Sequence, residues 1–247
     1  TILAPDFSII LGSRGCPFSC AYCASSCLYP GFKQRNWEKI WQEISLQLDR
    51  GVANFVFYDD ALLLNPHYWL IPLLHRFSRI QRKICLHTPN ALHVRYLSPQ
   101  LCKLFYQAGL STVRLGLESA DFENRPDSKL TKQEWEYGLK NLFAAGFKSE
   151  QIGAYILFGL PNQDPNHILR AIDFVHKWNI RPHLAYYSPI PGSELFPQAR
   201  ESSPYPLKEE PLFQNRAIWP CYPGGFSWDE HKKWQNRLLN PNSIVVK

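Results

Sequence analysis

Residues 7–23 read Phe-Ser-Ile-Ile-Leu-Gly-Ser-Arg-Gly-Cys-Pro-Phe-Ser-Cys-Ala-Tyr-Cys. The apolar run 7–12 predicts a strand that stops just before a cysteine loop. In that loop Cys16, Cys20 and Cys23 follow the spacing C-x3-C-x2-C. Three thiolates on one short loop can each take one iron of a cubane cluster, which leaves the fourth iron without a protein ligand. A small molecule can chelate that bare iron. A structural zinc site would instead need four ligands, usually in two separated pairs. Cys27 could close the set as a fourth ligand, but the run Ser-Ser-Cys-Leu-Tyr-Pro-Gly-Phe around it holds no other ligand type, and it is read as a bystander. Cys85 and Cys102 fall in predicted core elements. Cys221 lies among aromatic residues, where a structural role is the default.

Beyond the loop, strand and helix alternate. Trp37, Ile40, Trp41, Ile44 and Leu48 share one helical face from Asn36 to the stop at Gly51. Further strands are expected at 53–58, 83–88, 111–117, 152–158 and 183–188. Helices are expected from Asn65-Pro66, from Ser98-Pro99 to Gly109, from the capping box Thr131–Glu134 to Gly146, and from Asp164-Pro165 to about Trp178. This βα repeat implies a parallel sheet with its chemistry at the C-terminal strand ends. Eight units would close a full barrel. Six predict an α/β fold with a partial (β/α)6 TIM-like barrel over 1–192, and an ordered C-terminal extension over 193–247 that caps or flanks it.

The chain has 247 residues, a net charge of +6, seven cysteines and no methionine. Four cysteines within twelve residues argue for a metal site in a reducing compartment, not a disulfide framework. No apolar run is long enough for a membrane span, and the start TILAPDF has no basic region followed by a long apolar core. A cytoplasmic location with no membrane partner is expected. The basic clusters Arg76-Arg79-Arg82-Lys83 and His231-Lys232-Lys233 read as solvated faces, and the modest charge argues against a nucleic-acid partner.

C-x3-C-x-aromatic-C after a first strand resembles the signature of the radical S-adenosylmethionine (SAM) superfamily. The similarity runs over about residues 7–192. The wording GCPFSCAYCASS, FYDDALL, RLGLES and YILFGLP is similar to the subgroup whose larger members carry an N-terminal cobalamin-binding domain, a domain this sequence does not include. The resemblance implies a [4Fe–4S] cluster on Cys16, Cys20 and Cys23, and SAM as the molecule on the open iron. Reductive cleavage of SAM would then give a 5′-deoxyadenosyl radical that takes hydrogen from a small-molecule or peptide substrate. A flavodoxin- or ferredoxin-type reductant would supply the electron.

The resemblance places Tyr22 near the adenine and Asp59 and Asp60 near the SAM amino group, although the family's Gly-Gly-Glu wording is missing there. At the other strand ends His87 and Asn90 are candidate hydrogen-bonding groups. Glu118 and Ser119 suit a ribose diol. Ile156, Gly159 and Tyr186 complete the set, with the glycine allowing close backbone approach. Two other readings stand beside this one. The chain could be the catalytic core of a cobalamin-dependent radical SAM methyltransferase, cobalamin itself having no binding motif here. It could also be a non-enzymatic iron–sulfur or metal-binding module.

Overall fold

The computed structural model describes residues 6–29, 31–125, 127 and 129–240. The reading of the N-terminal segment rests partly on residues 1–5, outside the described residues. In chain order the elements are β1 (Ser8–Ile10), β2 (Ser13–Arg14), α1 (Ser25–Leu28), β3 (Lys33–Gln34), α2 (Trp37–Asp49), β4 (Asn54–Phe57), α3 (Leu70–Phe77), β5 (Cys85–His87), α4 (Pro99–Gln107), β6 (Leu110–Glu118), α5 (Lys132–Ala144), β7 (Ile152–Phe158), α6 (Pro165–His176), β8 (Arg181–Tyr186), α7 (Phe196–Ser202) and α8 (Trp228–Leu239). The main sheet has six strands in the order β1-β4-β5-β6-β7-β8. This is sequence order among the predicted strands, as successive βα units require. Pairing is parallel from β1 through β6.

The local signals explain the helices. Asn36 accepts from the amide of Lys39, Ser98 from that of Leu101, and Asp164 from that of Asn166. Thr131 and Glu134 form the expected capping box. One start was misread: Asn65-Pro66 opens a short 3₁₀ turn, Pro66–Tyr68, and α3 begins at Leu70. Asn65 is in the left-handed region at φ 47°, so its side chain does not cap the first turn. An antiparallel pair, β2 with β3, was not anticipated, since two-residue strands carry no periodicity.

The contacts divide the chain into two compact units. The first comprises Thr1–Phe18, Leu28–Gly116 and Lys129–Gly153. Its core lies between the sheet and the helices. Phe55 meets Phe77 of α3 with ring centroids 5.4 Å apart, and Phe57 meets Trp69 at 6.4 Å. Ile10, Phe55, Phe57 and Leu86 are all buried on this face. Burial of each such side chain contributes roughly 1.5–3 kcal/mol. Two residues of the basic cluster at 76–83 work locally. Arg76 lies over the Trp37 and Trp41 rings, and Arg82 donates to the Leu48 carbonyl at the end of α2.

The second unit comprises Ser19–Cys27, Leu117–Ser128 and Ala154–Lys247. Its core is aromatic. Phe158, at the end of β7, stacks on Tyr222 at 4.9 Å and meets Trp219 and Trp234 edge-on. A second cluster joins Tyr187, Ala199, Leu207 and Cys221. Burial pushes the Cys221 thiol up to about 11, so it packs as a neutral side chain. Cys102, in the first unit, is likewise buried and raised to about 12, whereas Cys85 is only half-buried. Among the described residues no helix is long and apolar enough to cross a membrane.

Candidate active site

The chain enters the cysteine loop through a tightly specified turn in the first unit. Gly12 has no room for a side chain, because a Cβ there would lie 1.9 Å from the Trp69 ring. Asp59, 2% exposed, follows β4 and accepts from the Ser13 amide at 2.5 Å, the Ser13 hydroxyl at 2.6 Å and the Gly12 amide at 3.3 Å. Burial raises its carboxyl above the ordinary aspartate range, and these hydrogen bonds oppose that shift. The β2–β3 pair then closes the stem of the loop. Gly15 sits at φ +82°, where an added Cβ would meet the Gly31 carbonyl oxygen at 2.2 Å. Cys16 follows, half-buried.

Cys20 and Cys23 belong to the second unit, half-buried and joined by a turn in which the Cys23 amide donates to the Cys20 carbonyl at 2.9 Å. The Ser25 amide donates to the Cys23 sulfur at 3.4 Å. Cys27 is turned elsewhere, its thiol donating to the Gly192 carbonyl at 3.1 Å. Among the described residues no group of three His, Cys, Asp or Glu side chains is gathered closely enough for a single metal ion. A cubane asks for something different, since each thiolate binds a separate iron. The donor set of three soft thiols fits such a cluster and leaves one iron open.

Tyr22 is held in the same unit by a polar group assembled after β6. Its hydroxyl donates to Asp127 at 3.3 Å. Burial, then the charges of Glu118, Cys20 and Asp127, push the phenol upward, so it stays protonated. Arg125 was not anticipated from the sequence. It bonds Asp127 at 3.1 Å and the Ser119 carbonyl at 2.7 Å, and lies 3.6 Å from Glu118. Arg125 and Asp127 sit in a polar loop with no spacing signal, which is why the sequence reading passed over them. Glu118 is buried and at φ +59°, a left-handed conformation that costs a non-glycine residue about 1–2 kcal/mol.

The remaining candidates divide between contact positions and support. Glu118, Ser119, Leu157, Leu160 and His167 line a cavity of about 170 Å³. Gly159 is at φ +79°, and its amide and that of Leu160 both donate to the Gln163 side chain, which donates back to the Leu157 carbonyl. Ile156 is buried, two residues before Phe158 and on the same side of β7. Tyr186 stacks on Trp219 at 5.7 Å. Asn90 donates to the carbonyls of Tyr58 and Asp59, tying two strand ends together. Asp60 is half-buried in the turn after Asp59. His87 spans Thr112 Oγ1 at 3.0 Å and Asn54 Oδ1 at 3.4 Å. Burial, then the charge of Arg114, lowers its pKa and keeps it neutral.

Comparison with known proteins names the class. The sequence model of the radical SAM superfamily matches residues 10–175, more than half of the chain. The chain therefore belongs to the radical SAM superfamily, a class of enzymes that in general use a [4Fe–4S] cluster and SAM. It is 26% identical over 201 residues to an uncharacterised methyltransferase of Pyrococcus horikoshii, covering 78% of this chain and 42% of that protein. It is 22% identical over 227 residues to bacteriochlorophyllide d C-12(1)-methyltransferase of Chlorobaculum tepidum, covering 81% and 48%. The chain thus spans less than half the length of these relatives. Its fold is that of the radical SAM methyltransferase TsrM of Kitasatospora setae, with a TM-score of 0.66 at 15% identity, covering 79% of this chain and 38% of that one. The same fold is found in coproporphyrinogen III oxidase of Escherichia coli, with a TM-score of 0.55 at 15% identity, covering 78% and 46%.

Proposed function

We propose that Cys16, Cys20 and Cys23 hold a [4Fe–4S] cluster with SAM on its open iron, and that the chain directs the resulting radical to a C–H bond of its substrate. The observation that carries this reading is the three-thiol loop with Tyr22 inside it, held by Asp127 beside Glu118 and Arg125. When bound, the reduced cluster would supply one electron to the sulfonium of SAM, so that the C5′–S bond breaks to methionine and a 5′-deoxyadenosyl radical.

The protein's own work is positioning. Glu118 accepts from the ribose hydroxyls, with Arg125 3.6 Å away helping to aim it. Leu157 and Leu160 give the cavity an apolar wall suited to a base, and Tyr22 flanks the adenine. Ser119 and Gly159 add close backbone contact. Asp59 holds the turn that presents Cys16, and Asn90 fixes the backbone at Tyr58 and Asp59, ahead of Asp60. Tyr186 packs on Phe158 and Trp219, and Ile156 is buried on the same side of β7 as Phe158. Residues 193–240 of the C-terminal extension flank the cavity, supported by the packing of Trp219, Tyr222 and Trp234 on Phe158. The electron comes from a flavodoxin- or ferredoxin-type protein.

Anaerobic reconstitution tests the reading. About four irons and four sulfides per chain are expected, with SAM converted to 5′-deoxyadenosine under dithionite and no such conversion in Cys20→Ala. A reconstituted cluster that leaves SAM intact would sink the enzymatic reading and favour a binding or electron-transfer module.

Methyl transfer is a second reading, favoured by relatives whose names are methyltransferases. Transfer of label from methyl-labelled SAM to a product, dependent on added cobalamin, would support it.

A further inference from the structure

The sheet of the first unit has two unlike faces. Register sets Ile9 beside Val56, Val56 beside His87, and His87 beside Thr112. These side chains point away from the helix-packed face, with Tyr58 and Arg114 two residues further along their strands. In a closed barrel, inward side chains fill a packed core. Here they do not: Ile9 is 58% exposed and Tyr58 47%. Both lie, with the half-buried Val56, His87 and Thr112, on the face opposite Phe55 and Phe57, which are 0% and 1% exposed.

Arg114 gives this face its charge. It is half-buried, and its guanidinium bonds the carbonyl of its own neighbour Val113 at 3.2 Å. No carboxylate partners it among the described residues. The adjacent histidine cannot compete for an anion. The Asn54 amide donates to the Asp6 carbonyl, so its oxygen accepts from His87 Nε2, and Nδ1 accepts from the Thr112 hydroxyl. Both ring nitrogens are therefore occupied and the ring is neutral. A half-buried cation beside an open apolar surface is matched by a ligand with an anionic head and an apolar body.

We infer that this face seats the substrate, an amphiphilic carboxylate whose apolar body lies on Ile9, Val56 and Tyr58 and whose carboxylate pairs with Arg114. The inference rests on the proposed radical chemistry for the fate of the ligand, but not for its binding.

Fluorescence titration of the cluster-free chain with 1-pyrenebutyrate and with its methyl ester tests the binding alone. The acid should bind at least tenfold more tightly than the neutral ester, as a charge-assisted pair predicts. Arg114→Gln should abolish that preference while leaving the ester's affinity in place, and Arg114→Lys should retain part of it. Ile9→Ser should weaken both probes. Equal affinity for acid and ester in the unaltered chain, or a preference that survives Arg114→Gln, overturns the inference. So does sedimentation that shifts with concentration and reverts in Ile9→Asp, which would assign the face to a second copy of the chain. The two proposals fail separately. SAM cleavage without an acid preference defeats only the substrate assignment, and an acid preference without SAM cleavage defeats only the radical reading.

Discussion

Asp59 shows how a single residue can look catalytic in a sequence and be structural in its contacts. It sits at a strand end, where a carboxylate could meet the SAM ammonium, yet both its oxygens are engaged by the Gly12–Ser13 turn. Asp59→Ala should cost about 2–3 kcal/mol in urea unfolding, because it strands buried donors. Its raised folded pKa fixes a sign. The folded state holds the proton more tightly than the unfolded state, so this group's contribution is fully present below the unfolded aspartate pKa. It is lost as pH rises through the folded value. Unfolding free energies of the unaltered chain and Asp59→Asn, compared across acidic pH, should show that falling component only in the former. Arg125 makes a second case. Arg125→Gln should destabilise by about 3–5 kcal/mol, since it removes a buried guanidinium that pairs with Asp127 and lies 3.6 Å from Glu118. The three cysteines and Glu118 could be singled out as candidates because their spacing and strand-end phase are sequence properties. Arg125 and Asp127 could not, because the loop brings them together only once it is folded.

At the scale of elements, what could be read was what is local. The caps at Asn36, Ser98, Thr131 and Asp164 act within three residues, and each sits where the sequence put it. Thr131→Ala should therefore cost about 1 kcal/mol in thermal or urea unfolding. The stem of the cysteine loop was hidden because β2 and β3 pair across residues 13–34, with no pattern to announce it. Asn65-Pro66 misled because proline starts a 3₁₀ turn as readily as an α-helix. The turn at Gly12 is the element most sensitive to change. Gly12→Ala drives a methyl into Trp69, and overpacking there should cost about 1–3 kcal/mol or more, read as a lowered urea midpoint. Cluster content after reconstitution should fall with it, since the same turn presents Cys16.

For the molecule as a whole, the order of six strands followed from the alternation of apolar runs and capped helices. Burial of β4 and β5 alternates along the strand, so these strands are not covered equally on both faces. Hydrophobicity alone does not say whether a neighbour will arrive to cover the second face. Net charge also acts at this scale. With +6, the chain should attract an acidic electron carrier over distances that salt screens. The rate of 5′-deoxyadenosine formation driven by reduced flavodoxin should fall several-fold between low and physiological ionic strength. A rate indifferent to salt would argue against electrostatic steering.

The left-handed backbone at Glu118 sets two kinds of selection against each other. Judged by folding alone, the last residue of β6 should drift to glycine or asparagine, which adopt that conformation at less cost. Judged by the proposed chemistry, the ribose hydroxyls call for a carboxylate there. A library varied at this position and sorted once for abundance and once for SAM turnover should part into two populations. Glutamate would be enriched only in the second.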